Sequence, residues 1–265
     1  MHTVLTLKRR RTRAPDAAMS IGQHLSELRS RLLVCLIALA LGTTVAVFAY
    51  EPILHLLLRP LCSLNSTAPR TPRGRPLFGS DGTCNLYVTS PLDGLALRVK
   101  VAFFGGLVLS SPVVLFEVWR FVTPGLKSSE KKYAVPFVTA AFGLFLLGAA
   151  TAYLTIPHAL GFLKSVGGPN LQAIYDPIPS LGLIIVMMVL FGLTFQFPVI
   201  LVSLELARVV TPGRLLASWR WAVVAITVVA AVVTPSSDPF SMFALALPLT
   251  VFYFVSIGIG KLLGR

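Results

Sequence analysis

The chain has 265 residues, 55% of them hydrophobic and 12% charged, with a mean hydropathy of +0.81 and a formal net charge of +13. That is too apolar for an ordinary soluble domain of this length, so an integral membrane protein is expected. The basic excess does not require nucleic acid: no zinc-finger spacing, RNP-like string or soluble basic domain accompanies it, and topology and anionic lipid explain basic rims on a membrane protein.

Residues 1–18, with Lys8, Arg9, Arg10, Arg11 and Arg13 beside Pro15, read as a disordered basic arm, and residues 19–265 as a single membrane domain. The apolar run from Leu32 is long for a signal-peptide core and more runs follow it, so it is expected to be an uncleaved first helix. Before it, Ser20 and Gln23 make a capping-box pattern. Ile21, Leu25, Leu28 and Leu32 form an apolar stripe, which predicts a helix lying on the membrane surface before the chain turns inward. His24, Glu27 and Arg31 share another face of that helix, where Glu27 and Arg31 read locally as an i, i+4 pair worth a few tenths of a kcal/mol.

Apolar runs long enough to cross a hydrocarbon core of about 30 Å fall at residues 32–50, 99–118, 134–156, 180–204, 219–233 and 240–260. The fold expected is therefore an all-α membrane protein with six transmembrane helices. The fifth run spans only about 22 Å and the sixth is interrupted by Pro248, so spans five and six are expected to be short and to thin the bilayer locally. With six spans both termini share a side; that side carries 16 Lys and Arg near the helix ends against 7 on the other, which makes the termini cytoplasmic.

The outer connection, about residues 51–98, opens with a proline-bounded interfacial helix from Glu51 to Pro60 and continues through a Pro/Arg/Gly stretch at 69–76. Cys62 and Cys84 lie in it, facing an oxidising compartment. A disulfide between them would add about 3 kcal/mol, and two independent thiols are the alternative. Cys35, inside span one, reads as a small core residue. Between spans two and three, residues 111–130 combine a proline-containing helix, the interfacial aromatics Trp119 and Phe121, a Pro124-Gly125 turn, and Glu130 near the N-terminus of the next helix.

His24-Leu25-x-Glu27-Leu28-Arg29-x-Arg31, Ser90-Pro91-Leu92-Asp93 and Trp119-x-Phe121-x-x-Pro124-Gly125-Leu126-x-x-x-Glu130 resemble the signature blocks of the TatC family, the multispanning receptors of twin-arginine translocation. Phe191-Gly192-x-x-Phe195-x-x-Pro198-Val199 and Thr234-Pro235 with Asp238 in a tight outer turn agree, and the likeness extends over nearly all of residues 20–260. The resemblance implies a concave, glove-like bundle in the cell membrane that binds twin-arginine signal peptides of folded cargo at its cytoplasmic face. Glu27 and Glu130 would receive the arginines, with His24, Arg29, Trp119 and Phe121 around them. A carboxylate accepts a guanidinium in bidentate fashion, which a lysine cannot match. Single-span TatA- and TatB-like partners, protonmotive force as the energy source, and assembly with further copies of the chain are also implied.

Two positions depart from the family pattern, which commonly has Glu in place of Gln196 and Gln in place of Glu117. Gln196 cannot titrate; beside Pro198 it is expected to join helices by a hydrogen bond or to serve as an intramembrane polar patch for a partner. His2, His24, His55 and His158 are scattered, and no H-E-x-x-H, G-x-S-x-G or Walker string is present, so neither an enzyme, a bound metal nor a cofactor is expected. The alternative from another class is a small-molecule secondary transporter, for which internal repeats and a polar midplane would be required. An intramembrane protease would need a Ser/His or paired-Asp arrangement inside the membrane, and Asp93, Asp176 and Asp238 all fall at predicted outer boundaries.

Overall fold

The structure, a computed structural model, describes residues 21–63, 90, 92–122, 134–166, 177–206, 208–235 and 238–262. The described residues form nine helices: α1 (Ile21–Phe48), α2 (Tyr50–Ser63), α3 (Asp93–Val122), α4 (Ala134–Val166), α5 (Pro177–Thr194), α6 (Phe197–Leu206), α7 (Pro212–Ala217), α8 (Trp219–Val233) and α9 (Pro239–Leu262). Five segments are long and apolar enough to cross a membrane, and the 15-residue α8 is a shorter apolar helix. At 1.5 Å per residue α8 reaches about 22 Å, as its sequence predicts.

Several expectations change. No surface helix precedes span one: α1 runs unbroken from Ile21 to Phe48, because nothing between Leu28 and Leu33 breaks a helix, and Leu28, Leu32 and Leu33 are exposed along it. Span six is not short. α9 is continuous through Pro248 for 24 residues, about 36 Å. Span four, by contrast, is two helices that meet at a turn at Phe195 and Gln196, since the ring of Pro198 excludes the carbonyl of Thr194 from the helical ladder. Pro60 does not bound the interfacial helix, which continues to Ser63, and α3 starts at Asp93 within the stretch assigned to the outer connection.

Two of the prolines inside these helices, Pro112 and Pro60, orphan carbonyls that find other donors, which lipid cannot supply. Pro112 leaves the carbonyl of Val108 without its helical donor, and the Ser111 hydroxyl donates to it at 2.7 Å. Pro60 does the same to Leu56, whose carbonyl accepts from the Tyr153 hydroxyl of α4 at 2.9 Å, so one bond both repairs α2 and pins it to the bundle.

The core is centred where α3, α4, α5 and α9 converge, with Val101, Ile156, Leu181, Ile184, Phe191, Leu245, Leu249 and Tyr253 nearly inaccessible. α1 packs on α3, α4 on α5, and α9 against α4, α6, α7 and α8. Lipid tails give little hydrophobic drive between helices, so small residues set the closest approaches. A methyl added to Gly42 would lie 2.7 Å from the Gly106 carbonyl oxygen, and one added to Gly106 would lie 2.6 Å from the Thr43 Cα. Gly148 meets the Phe191 backbone in the same way, and Gly192 meets the Phe145 ring.

Gly106→Ala should therefore destabilise the detergent-solubilised protein by about 1–3 kcal/mol, since it overpacks two backbones, whereas Gly143→Ala, with nothing within 4 Å of its added methyl, should not. Thermal unfolding of the two variants side by side is the measurement.

Candidate functional site

The contacts Ala46 with Gly105, Gly42 with Gly106, and Arg31 with Glu117 show α1 and α3 running antiparallel. From the glycine contact the two helices extend to the same depth. Arg31 lies 11 residues before Gly42 and Glu117 lies 11 residues after Gly106; each interval is about three turns, roughly 16 Å, so each side chain returns to the face its glycine occupies. Close packing at the glycines thus delivers Arg31 to Glu117 at the end of the pair where α1 begins.

The guanidinium of Arg31 is held from both helices. It ion-pairs with Glu27 one turn back on α1, lies 3.5 Å from Glu117 Oε2, and donates to the Glu117 main-chain carbonyl at 3.4 Å. Arg120 Nη1 stands 3.9 Å from Glu117 Oε1. The side chains of Arg31 and Glu117 are 13% and 10% exposed, so their attraction is little screened by water. Arg31 Nε has no acceptor among the described residues. Arg29 is exposed on the same helix, and His24 lies in its first turn.

Trp119 follows on α3. It is buried and stacks on Phe137 of α4, with centroids 4.3 Å apart and planes 19° from parallel. Phe137 in turn forms one wall of an apolar cleft of about 370 Å³ between α4, α6 and α9, with Leu144, Val199, Val202, Phe252 and Ile259 among its other walls. Phe121 is in the last turn of α3. Glu130 and Cys84 lie outside the described residues; Cys62 is in α2.

Two predicted polar positions serve the bundle itself. The side-chain amide of Gln196 donates to the carbonyl oxygens of Ala141, at 3.0 Å, and Gly192, at 3.3 Å, which ties the α5–α6 break to α4 as an interhelical bond beside Pro198. Asp238, buried, caps α9 by accepting from the Ser241 N–H at 2.8 Å, and Thr234 closes α8 through its hydroxyl bond to the Ala230 carbonyl at 2.9 Å. At the start of α3 the Asp93 carboxylate accepts from the Ser90 N–H at 2.8 Å, giving that block a structural use.

Sequence reasoning missed two participants. Glu117 was visible only as a departure from a family pattern, not as the second carboxylate on Arg31. Glu205, 1% exposed in the last turn of α6, falls just outside the apolar run at residues 180–204; a lone acid closing such a run is the signal that points to it.

A family model described as Sec-independent protein translocase protein (TatC) matches residues 23–248. The chain is 38% identical over 264 residues to the Sec-independent protein translocase protein TatC of Frankia casuarinae, covering 99% of this chain and 71% of that one. To the protein of that name from Aquifex aeolicus it is 31% identical over 252 residues, covering 93% and 97%. The crystal structure of a twin arginine translocase receptor, TatC, in DDM superposes with a TM-score of 0.70 at 29% identity, covering 89% of this chain and 99% of that one.

Replacing Arg31 by Met leaves Glu117 buried without its inner cation and should destabilise the fold by about 3 kcal/mol. Adding Glu117→Gln to that variant should recover most of the loss, a coupling that a double-mutant cycle on thermal unfolding reads directly.

Proposed function

The chain belongs to the TatC family of Sec-independent protein translocases, a multi-pass membrane component of twin-arginine translocation, and on that premise we propose that it is the receptor subunit, binding twin-arginine signal peptides at the end where α1 begins and α3 ends. That end is the cytoplasmic face if the charge bias sets the topology, with both termini inside and the protein in the cell membrane. The observation that supports the reading most is the four-residue charge cluster Glu27, Arg31, Glu117 and Arg120, held at the bundle end by the α1–α3 register.

The cluster suggests how a carboxylate already paired can receive a new cation. Arg31 sits between two acids. When a signal-peptide guanidinium approaches Glu27, Arg31 shifts its weight onto Glu117, so Glu27 accepts the newcomer without stranding a buried charge. Glu130, by motif match, is the second receiving carboxylate, and Arg29, His24, Trp119 and Phe121 border the surface. Glu117, where the family commonly has Gln, makes the exchange easier here because Arg31 keeps a full counter-charge.

Transport of folded cargo requires more than this chain. A bundle of six helices is too small to enclose a passage for a folded protein, so TatA- and TatB-like single-span proteins complete the machine, with further copies of the chain in the complex and protonmotive force driving it. α8 offers a docking face for such a partner: only Ile226 and Ala230 of its residues are buried, and Trp221 and Val232 are 79% exposed. Membership of the family weighs against the small-molecule transporter, and the activity is transport rather than catalysis.

The test is binding of a signal peptide carrying Arg-Arg, against the same peptide with Lys-Lys, to the wild type and to the Glu27→Ala, Glu130→Ala double variant in detergent. The wild type should prefer Arg-Arg by about tenfold or more, the scale of one strong charge-assisted pair. The double variant should bind both weakly and alike. Equal binding in all four combinations overturns the proposal.

A further inference from the structure

Glu205 stands apart from the charge cluster, at the far end of span four beside the short helix α7. It is 1% exposed, and neither carboxyl oxygen has a hydrogen-bond partner among the described residues. The pocket that holds it is cut to its size. A methyl on Gly260 of α9 would lie 2.4 Å from Glu205 Oε2 and 2.9 Å from Pro212 Cγ of α7, so the missing side chain at 260 is the space the carboxyl fills.

The elements around it supply no counter-charge. On α9, Lys261 is exposed, the Tyr253 hydroxyl is committed to the Leu215 carbonyl at 2.7 Å, and the Ser256 hydroxyl to the Tyr253 carbonyl at 2.8 Å. On α7, Arg214 is exposed, and α6 has no second titratable group. Arg208 is exposed in a left-handed turn, φ 59°, and its N–H bonds the Glu205 main-chain carbonyl at 3.0 Å rather than the side chain. No described cation comes within 4.0 Å of the carboxyl oxygens of Glu205.

An ionised carboxylate without a partner is among the costliest groups to enclose, far costlier than a neutral carboxyl that lacks one hydrogen bond. We propose that Glu205 is a proton-binding site that clasps the junction of α6, α7 and α9: neutral, its carboxyl fits the Gly260 notch; on losing its proton to the water layer it must be hydrated, and α9 separates from α6 at Gly260. Since successive spans alternate direction, this junction lies on the membrane side where α1 begins, close to the aqueous phase. Further along, α9 stays anchored by the Phe195–Phe252 edge contact and by the Tyr253 hydroxyl bond to the Leu215 carbonyl of α7, so the opening is confined to its end.

The experiment uses the full chain in phosphatidylcholine/phosphatidylglycerol nanodiscs. Infrared spectra at neutral pH should contain a neutral-carboxyl stretch that Glu205→Gln, an uncharged isostere that keeps the fold, removes. Spin labels at Arg208→Cys and Lys261→Cys, with the native cysteines replaced, should move apart as pH rises in the wild type and stay together in Glu205→Gln. Gly260→Ala, which drives a methyl at the carboxyl, should give the separated distance throughout. A band unchanged by Glu205→Gln, or a label distance that ignores pH while the band titrates, overturns the proposal; the first result would mean an ionised Glu205 paired with Arg208 or Lys261. Neither readout depends on signal-peptide binding.

Discussion

The contact between Gly42 and Gly106 sets the geometry on which the charge cluster depends. In lipid, helices gain little by hiding apolar surface from one another, so register is set where backbones can touch. Because that contact fixes α1 against α3, residues three turns away on each helix meet: Arg31 reaches Glu117, and Glu27 and Arg120 join from one turn further out. Gly148 and Gly192 do the same for α4 and α5. That pair carries the core on which α9 is laid, so two glycine seams organise most of the bundle.

The second constraint is that every backbone carbonyl freed in the membrane needs a donor from the protein. It explains why Pro112 and Pro60 leave their helices intact, through Ser111 and Tyr153, while at Pro198 the chain breaks and Gln196 uses the break to bond α4. The same accounting makes Glu205 conspicuous. Among the described residues, buried hydroxyls and amides are paired; Arg31 Nε and Trp119 Nε1 each lack a partner, and this carboxyl is enclosed with neither oxygen paired.

Hydropathy alone locates every apolar run, and α8 has the bounds its sequence predicts, residues 219–233, because Ser218 and Thr234 frame an uninterrupted apolar stretch. Helix ends and proline effects were less legible. At Pro60 the repairing hydroxyl, that of Tyr153, lies 97 positions away from the freed carbonyl of Leu56. The candidate site divides in the same way. Glu27 with Arg31 is an i, i+4 pattern visible in one turn, whereas Arg31 with Glu117 spans 86 positions and exists only once the glycine register is known. Gln196 was legible as an interhelical donor because a polar side chain beside a proline in an apolar run has few other uses.

Function rests on where this cluster faces. Photo-crosslinking of a twin-arginine precursor to a benzoylphenylalanine placed at Leu28, exposed one residue beyond Glu27, tests it most directly, with Leu95, exposed at the other end of α3, as the control. The predicted result is an adduct at Leu28 that weakens when the precursor's arginines become lysines, and none at Leu95. An adduct at Leu95 with none at Leu28 would contradict a receptor surface at the start of α1.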